Sequence, residues 1–186
     1  MGKSSRRARD EWLALRCKVR APGAFEDLIR EMEPSLLYYA TKLLSDESRA
    51  LDVLQDIWLT AYRGIKRLRD PQALRPWLYR IAHGLVVDRI RYDSSRERAE
   101  RVWAQSPDAS DDSFDGEDAA VVHRALDEID AKHREVLVLH FLNNLSVAEI
   151  AVVVSCPEGT VKSRIHYAKR ALKEVLKRGG YGPEKK

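Results

Sequence analysis

The chain has 186 residues, with 33 Lys and Arg against 29 Asp and Glu, a formal charge of +4, 44% hydrophobic and 8% aromatic residues. That is enough for one medium domain or two small ones, in a polar, soluble and helix-leaning chain. No apolar run approaches the roughly 18 residues that a membrane-spanning helix needs, no apolar stretch follows the basic start Met1–Arg7, and the mild net charge makes any nucleic-acid role depend on local clusters.

In chain order, residues 1–23 read as an N-terminal tail and a first short helix. Residues 24–33 place Phe25, Leu28, Ile29 and Met32 at helical spacing, and Pro34 then interrupts or restarts the helix. The stripe continues through Leu36, Leu37, Tyr39, Ala40, Leu43 and Leu44. Ser45-Asp46 offers an N-cap for a helix whose inward face is expected to hold Leu51, Leu54, Trp58, Ala61, Tyr62 and Ile65. A polar loop spans residues 67–71. Pro76 suits the first turn of a long helix towards Tyr92, with Trp77 or Leu78, Ile81, Leu85, Val86 and Ile90 inward. This first module, 24–101, is expected to be an all-helical bundle of roughly four helices.

Residues 104–118 hold six acidic residues, no basic one, and Pro, Gly and Ser. Such a stretch buries too little apolar surface to offset its ordering entropy, so 102–118 reads as a flexible acidic linker. Beyond it, 119–178 forms a second helical module, followed by a tail at 179–186. Residues 121–129 and 134–142 are amphipathic. Ser146 and Glu149 form a capping box at the head of a short helix. Ser155-Cys156-Pro157 breaks it, and a longer helix follows with Val161, Ile165, Ala168, Leu172 and Leu176 inward. Short helix, tight turn, longer basic helix is the helix-turn-helix pattern. The fold class is therefore all-α, two small helical domains joined by a linker.

Three clusters carry the chemistry. Thr160, Lys162, Ser163, Arg164, His166, Tyr167, Lys169 and Arg170 lie on the outer face of the last helix. A solvated basic face is the bland reading; the capping box, proline turn and one-sided charge favour duplex DNA in the major groove. Lys66, Arg67, Arg69, Arg75, Arg80, Arg89 and Arg91 form a second basic stretch, interleaved with Trp77. It suits single-stranded or distorted DNA, but Trp77 at helical spacing equally suits a core position. Asp52, Gln55 and Asp56 share one helix face. That is a solvated acidic edge, or a dock for a basic helical partner.

No catalytic constellation is present. The five histidines have no metal or triad spacing, there is no Gly-rich phosphate loop, and Cys17 and Cys156 fit no disulfide or metal pattern. The chain is expected to be a reduced, cytoplasmic, non-enzymatic protein without metal or cofactor.

Taken in order, Ala24-Phe-Glu-Asp-Leu, Asp52-Val-Leu-Gln-Asp-Ile-Trp, Arg75-Pro-Trp-Leu-Tyr-Arg-Ile-Ala, Asp88-Arg-Ile-Arg and Gly159-Thr-Val-Lys-Ser-Arg resemble an extracytoplasmic-function (ECF) sigma factor of bacterial RNA polymerase. The resemblance implies that 24–101 is sigma region 2 and 119–178 sigma region 4. It implies that Asp52, Gln55 and Asp56 dock on the clamp helices of the polymerase's largest subunit. The second basic stretch would open and read the −10 element, and the last helix would read the −35 element in duplex form. Core RNA polymerase, promoter DNA and an anti-sigma factor are the implied partners. His83 and Gly84 depart from the family's Arg and Asn, Ser155 from its turn Gly, and Tyr167 from a frequent Arg. The alternative is a stand-alone helix-turn-helix regulator that binds duplex DNA without joining the polymerase.

Overall fold

The computed structural model describes the backbone at residues 3–100 and 117–181 and the side chains at 5–94 and 120–181. The expected linker falls outside these residues, apart from its last two, Glu117 and Asp118, which open a helix.

Eight α-helices are described: α1 (Lys3–Lys18), α2 (Ala24–Leu44), α3 (Glu47–Gly64), α4 (Leu74–Glu100), α5 (Glu117–Asp127), α6 (Ala131–Leu137), α7 (Val147–Val153) and α8 (Glu158–Arg178). The first helix is not short. It runs 16 residues and buries Leu13, Ala14 and Cys17. Cys17 is a packing residue: its thiol donates to the Ala24 carbonyl at 3.2 Å, and burial pushes its pKa up to about 11. Gly23, at φ 69°, supplies the left-handed turn between α1 and α2.

Helix α2 does not stop at Pro34; it runs through it for 21 residues. A mid-helix proline costs about 3 kcal/mol. Here Pro34 and Arg30 are both exposed, so the unpaired carbonyl faces water. The opposite face buries Leu28, Met32, Leu36, Tyr39 and Ala40 completely, which outweighs that cost. Asp46 caps α3 as expected, accepting from the Arg49 N–H at 2.8 Å. The buried face of α3 differs, however. Ala50, Val53, Leu54, Ile57 and Ala61 point inward, whereas Leu51 and Tyr62 are exposed. On α4 the buried residues are Leu74, Leu78, Tyr79, Ala82 and Val86, and Ile90 is exposed. Both helices carry apolar residues on two faces, so spacing alone did not select the inner one.

In the second module Asp130 caps α6, which passes into a π-helical turn at Val138–Leu142. The capping box of α7 forms in full: Ser146 N–H to Glu149 Oε2 at 2.7 Å, and Glu149 N–H to Ser146 Oγ at 3.3 Å. Ser155 takes the turn position at φ 50°, a left-handed conformation that strains a residue with a Cβ.

The two modules pack on each other, with α2 and α4 against α6, the π turn and α7. Their buried residues form one continuous apolar core. The two modules joined by the linker are thus in direct contact.

Candidate nucleic-acid interface

Helix α8 buries Val161, Ile165, Ala168 and Val175 and turns the opposite face outward. Lys162, Ser163, His166, Tyr167, Lys169 and Arg170 are exposed, and Thr160 and Arg164 half-buried, so the whole expected set shares one side. Lys162, Arg164, Lys169 and Arg170 make no ion pair among the described residues. Lys169 lies over the Phe141 ring at 4.9 Å. The α7 capping box and the left-handed Ser155 turn stand directly before α8, in the order of a groove-reading helix-turn-helix.

The second cluster divides. Lys66 and Arg67 lie in a 3-10 turn at Ile65–Arg67, and with Arg69 and Arg80 they are exposed. Trp77 is half-buried, its ring packed where a Cβ on Gly64 would come within 3.1 Å of it, so Gly64 makes room for the indole. Arg75 and Arg89 are engaged within the fold, whereas Arg91 is exposed and pairs along its own helix. Arg75 Nε donates to buried Asp10 at 2.6 Å, with Glu31 3.6 Å away. Arg89 sits 3.2 Å from Asp52 and 3.7 Å from Asp93, and Arg91 is 3.6 Å from Asp88. A cleft of 550 Å³ runs between Arg69, Trp77 and Arg80 on one wall and Ala148, Glu149 and Val152 of α7 on the other.

Asp52, Gln55 and Asp56 are all exposed on α3. They alternate with exposed Leu51, Leu59 and Tyr62, giving an acidic and apolar strip that sequence spacing had assigned in part to the core. The Arg89–Asp52 pair joins this strip to the second cluster.

Sequence reasoning missed a polar set at the junction of the modules. Tyr39 Oη donates to Glu135 Oε1 at 2.6 Å, and His83 Nδ1 lies 2.7 Å from the same oxygen. Tyr79 Oη donates to Asn143 Oδ1, and Lys42 Nζ to Asp127 Oδ2 at 2.9 Å. Arg134 donates to the carbonyls of Lys42 at 2.6 Å, Asp127 at 3.0 Å and Ile129 at 3.2 Å. It thereby caps the C-terminal ends of α2 and α5, where the helix dipole favours a cation. Burial, reinforced by the Glu135 carboxylate, holds the Tyr39 pKa well above 10.0, and burial pushes Tyr79 up to about 12. Only the partial mismatch of polar residues such as Tyr39, Lys42 and Tyr79 with an otherwise apolar stripe hinted at this.

A bundle followed by a helix-turn-helix module, with separate cationic faces, defines a DNA-binding transcription protein. The Sigma-70 region 2 family matches residues 28–96, and the Sigma-70 region 4 family matches 119–172. ECF RNA polymerase sigma factor SigL of Mycobacterium tuberculosis is 32% identical over 148 residues, covering 76% of this chain and 82% of that protein. SigW of Bacillus subtilis is 29% identical over 168 residues, covering 83% and 89%. The sigma factor RpoE of Bartonella quintana, solved with the anti-sigma factor NepR, shares the fold at a TM-score of 0.72 and 24% identity, covering 83% of this chain and 98% of that one. CnrH, solved with the cytosolic domain of CnrY, has a TM-score of 0.66 at 25% identity, covering 91% and 97%. The chain belongs to the ECF sigma factors of RNA polymerase, which direct promoter-specific transcription. That membership sets aside the stand-alone regulator.

Proposed function

We propose that the exposed α3 strip around Asp52, Gln55 and Asp56 binds core RNA polymerase, that α8 reads the −35 element as duplex, and that Lys66, Arg67, Arg69, Trp77 and Arg80 engage the −10 strand during melting. The observation that carries this reading is the outward face of α8, where Lys162, Arg164, Lys169 and Arg170 make no ion pair among the described residues and follow a capped helix-turn-helix. Arg75 and Arg89, drawn into ion pairs with α1 and α3, serve the −10 face by holding α4 in place, and Arg91, exposed beside Asp88, adds its charge to that face. Exposed bases stack on an aromatic ring while cations follow the phosphates, which suits Trp77 beside Arg69 and Arg80. Residues 1–23 lead into region 2 at 24–101, and region 4 occupies 119–178. The chain performs no catalysis of its own and acts in the cytoplasm, where core polymerase and chromosomal promoters are. An anti-sigma factor is its regulatory partner, as NepR is in the complex with RpoE.

The test is the double variant Asp52→Lys, Asp56→Lys, in affinity measurements with core polymerase and with duplex DNA. Polymerase affinity is expected to fall at least about tenfold, equivalent to about 1.4 kcal/mol, with duplex binding unchanged. Retained polymerase affinity contradicts the assignment.

A further inference from the structure

We propose that the cleft between α4 and α7 is a binding site for a free nucleoside polyphosphate, whose base stacks on Trp77 and whose phosphates pair with Arg7, Arg69 and Arg80. Such a ligand competes with DNA for this face, a consequence that rests on the reading of Trp77, Arg69 and Arg80 as strand-binding residues.

The cavity has the size and the surface for it. At 550 Å³ it falls within the range of small-ligand sites, about 300–1,000 Å³. Trp77 and Leu68 on one side, and Ala148 and Val152 of α7 on the other, offer apolar surface to the flat face of a base. With α7 as its second wall, the cleft has room for one nucleotide and not for a strand.

The charge is of the right kind. Three guanidiniums from separate elements line the same space: Arg7 on α1, Arg69 ahead of α4, and Arg80 on α4. Arg69 and Arg80 make no ion pair among the described residues, and Arg7 has only Glu149, at 3.6 Å. The guanidinium is always charged, and its planar fork of N–H donors matches phosphate oxygens. The two carboxylates of the cleft are engaged at helix starts. Asp70 accepts the Gln72 N–H at 2.9 Å, and Glu149 Oε2 accepts the Ser146 N–H and hydroxyl, both at 2.7 Å.

A buried acceptor completes the site. Arg7, Gln72, Pro76 and Glu149 also line an adjoining polar recess of 110 Å³, together with Asp10. Asp10 is buried; its Oδ2 takes the Arg75 Nε, and its Oδ1 has no hydrogen-bond partner among the described residues. A buried acceptor without a donor is costly, and a ribose hydroxyl entering the recess supplies one.

The experiment is isothermal titration calorimetry on the full chain in magnesium-free buffer. ATP, its dideoxy analogue, adenosine and inorganic triphosphate are the probes. ATP is expected to bind once per chain, and adenosine and triphosphate each at least about tenfold more weakly. Trp77→Ala is expected to lower ATP affinity about tenfold and leave that of triphosphate unchanged. Arg7→Ala, at an exposed position outside the strand-binding set, lowers both. Should Trp77→Ala fail to fold, Val152→Glu, at another exposed position, places a carboxylate in the cleft and abolishes ATP binding. No ATP binding at millimolar concentration overturns the proposal. So does triphosphate binding as tight as that of ATP and indifferent to Trp77→Ala, which is an anion on a basic surface only. Equal affinity for dideoxy-ATP overturns the ribose contact.

Displacement of a labelled random-sequence single strand by ATP then separates the two readings. A strand that binds through Trp77, with no ATP binding, overturns the nucleotide site alone. ATP that binds without displacing the strand leaves the site standing and overturns the strand-reading assignment.

Discussion

Helices α4 and α8 both carry rows of cations, and they hold them in opposite ways. On α8, exposed Lys162, Lys169 and Arg170 and half-buried Arg164 make no ion pair among the described residues, and the pairs that do form, Lys177–Glu174 and Arg178–Glu128, lie at its far end. On α4, Arg75, Arg89 and Arg91 are tied to carboxylates, and the cleft beside Arg80 is walled by α7. A reader of intact duplex needs only a rigid helix with a free face. A reader of a melted strand needs a recess, and a recess left open would present Trp77 and its neighbours to any single strand.

Substitutions separate the two arrangements sharply. Arg75→Ala strands buried Asp10 without its cation, and losing one member of such a buried pair costs about 3–5 kcal/mol. The matching change Arg170→Ala on the exposed face is expected to stay within about 0.5 kcal/mol. Denaturant unfolding checks both; an unchanged midpoint for Arg75→Ala, together with lost strand binding, would return Arg75 to the DNA face.

Alkali tests the buried junction next. Tyr39 and Tyr79 favour their neutral forms in the folded chain, so their contribution is complete below the ordinary tyrosine value of 10.0 and is lost as pH rises towards about 12. Tyr79 alone accounts for about 2–3 kcal/mol of that loss. Tyrosinate absorbance and scattering, followed together, should show late ionisation coinciding with loss of the compact packing at this junction.

On α8 itself, Arg164→Ala is expected to cost about 1–3 kcal/mol at the −35 element and to relax specificity there. Lys169→Ala should instead weaken all duplexes alike and reduce the salt slope by about 1. Binding to a library of duplexes at several salt concentrations distinguishes them. The smallest effect is Ser155→Gly, which removes the left-handed strain of the turn and should raise stability by about 0.5–1 kcal/mol without altering the unfolding slope.

What could be read from sequence follows the range of the interactions. The Ser146–Glu149 box, the Asp46 cap and the Ser155 turn are set by residues within a few positions, and each stands where the pattern put it. The outward set on α8 was legible because its inner stripe is apolar and its outer face uniformly polar. Leu51 and Tyr62 were misplaced because α3 has apolar residues on an exposed strip as well as in the core. Pro34 left the course of α2 open, and burial of the face opposite it decided the outcome. The Tyr39–Glu135 contact joins residues 96 positions apart. No local spacing encodes such a pair, so neither the junction of the modules nor the engagement of Arg75 by Asp10 was visible.

As an ECF sigma factor, this chain gives core polymerase its promoter. Run-off transcription with core polymerase and the full chain, on a pool of promoter fragments with sequenced start sites, tests it most directly. Initiation is expected at start sites preceded by one shared two-element motif, and is expected to be lost with Asp52→Lys, Asp56→Lys. Initiation no greater than that of core polymerase alone, from a folded chain free of inhibitor, would contradict it.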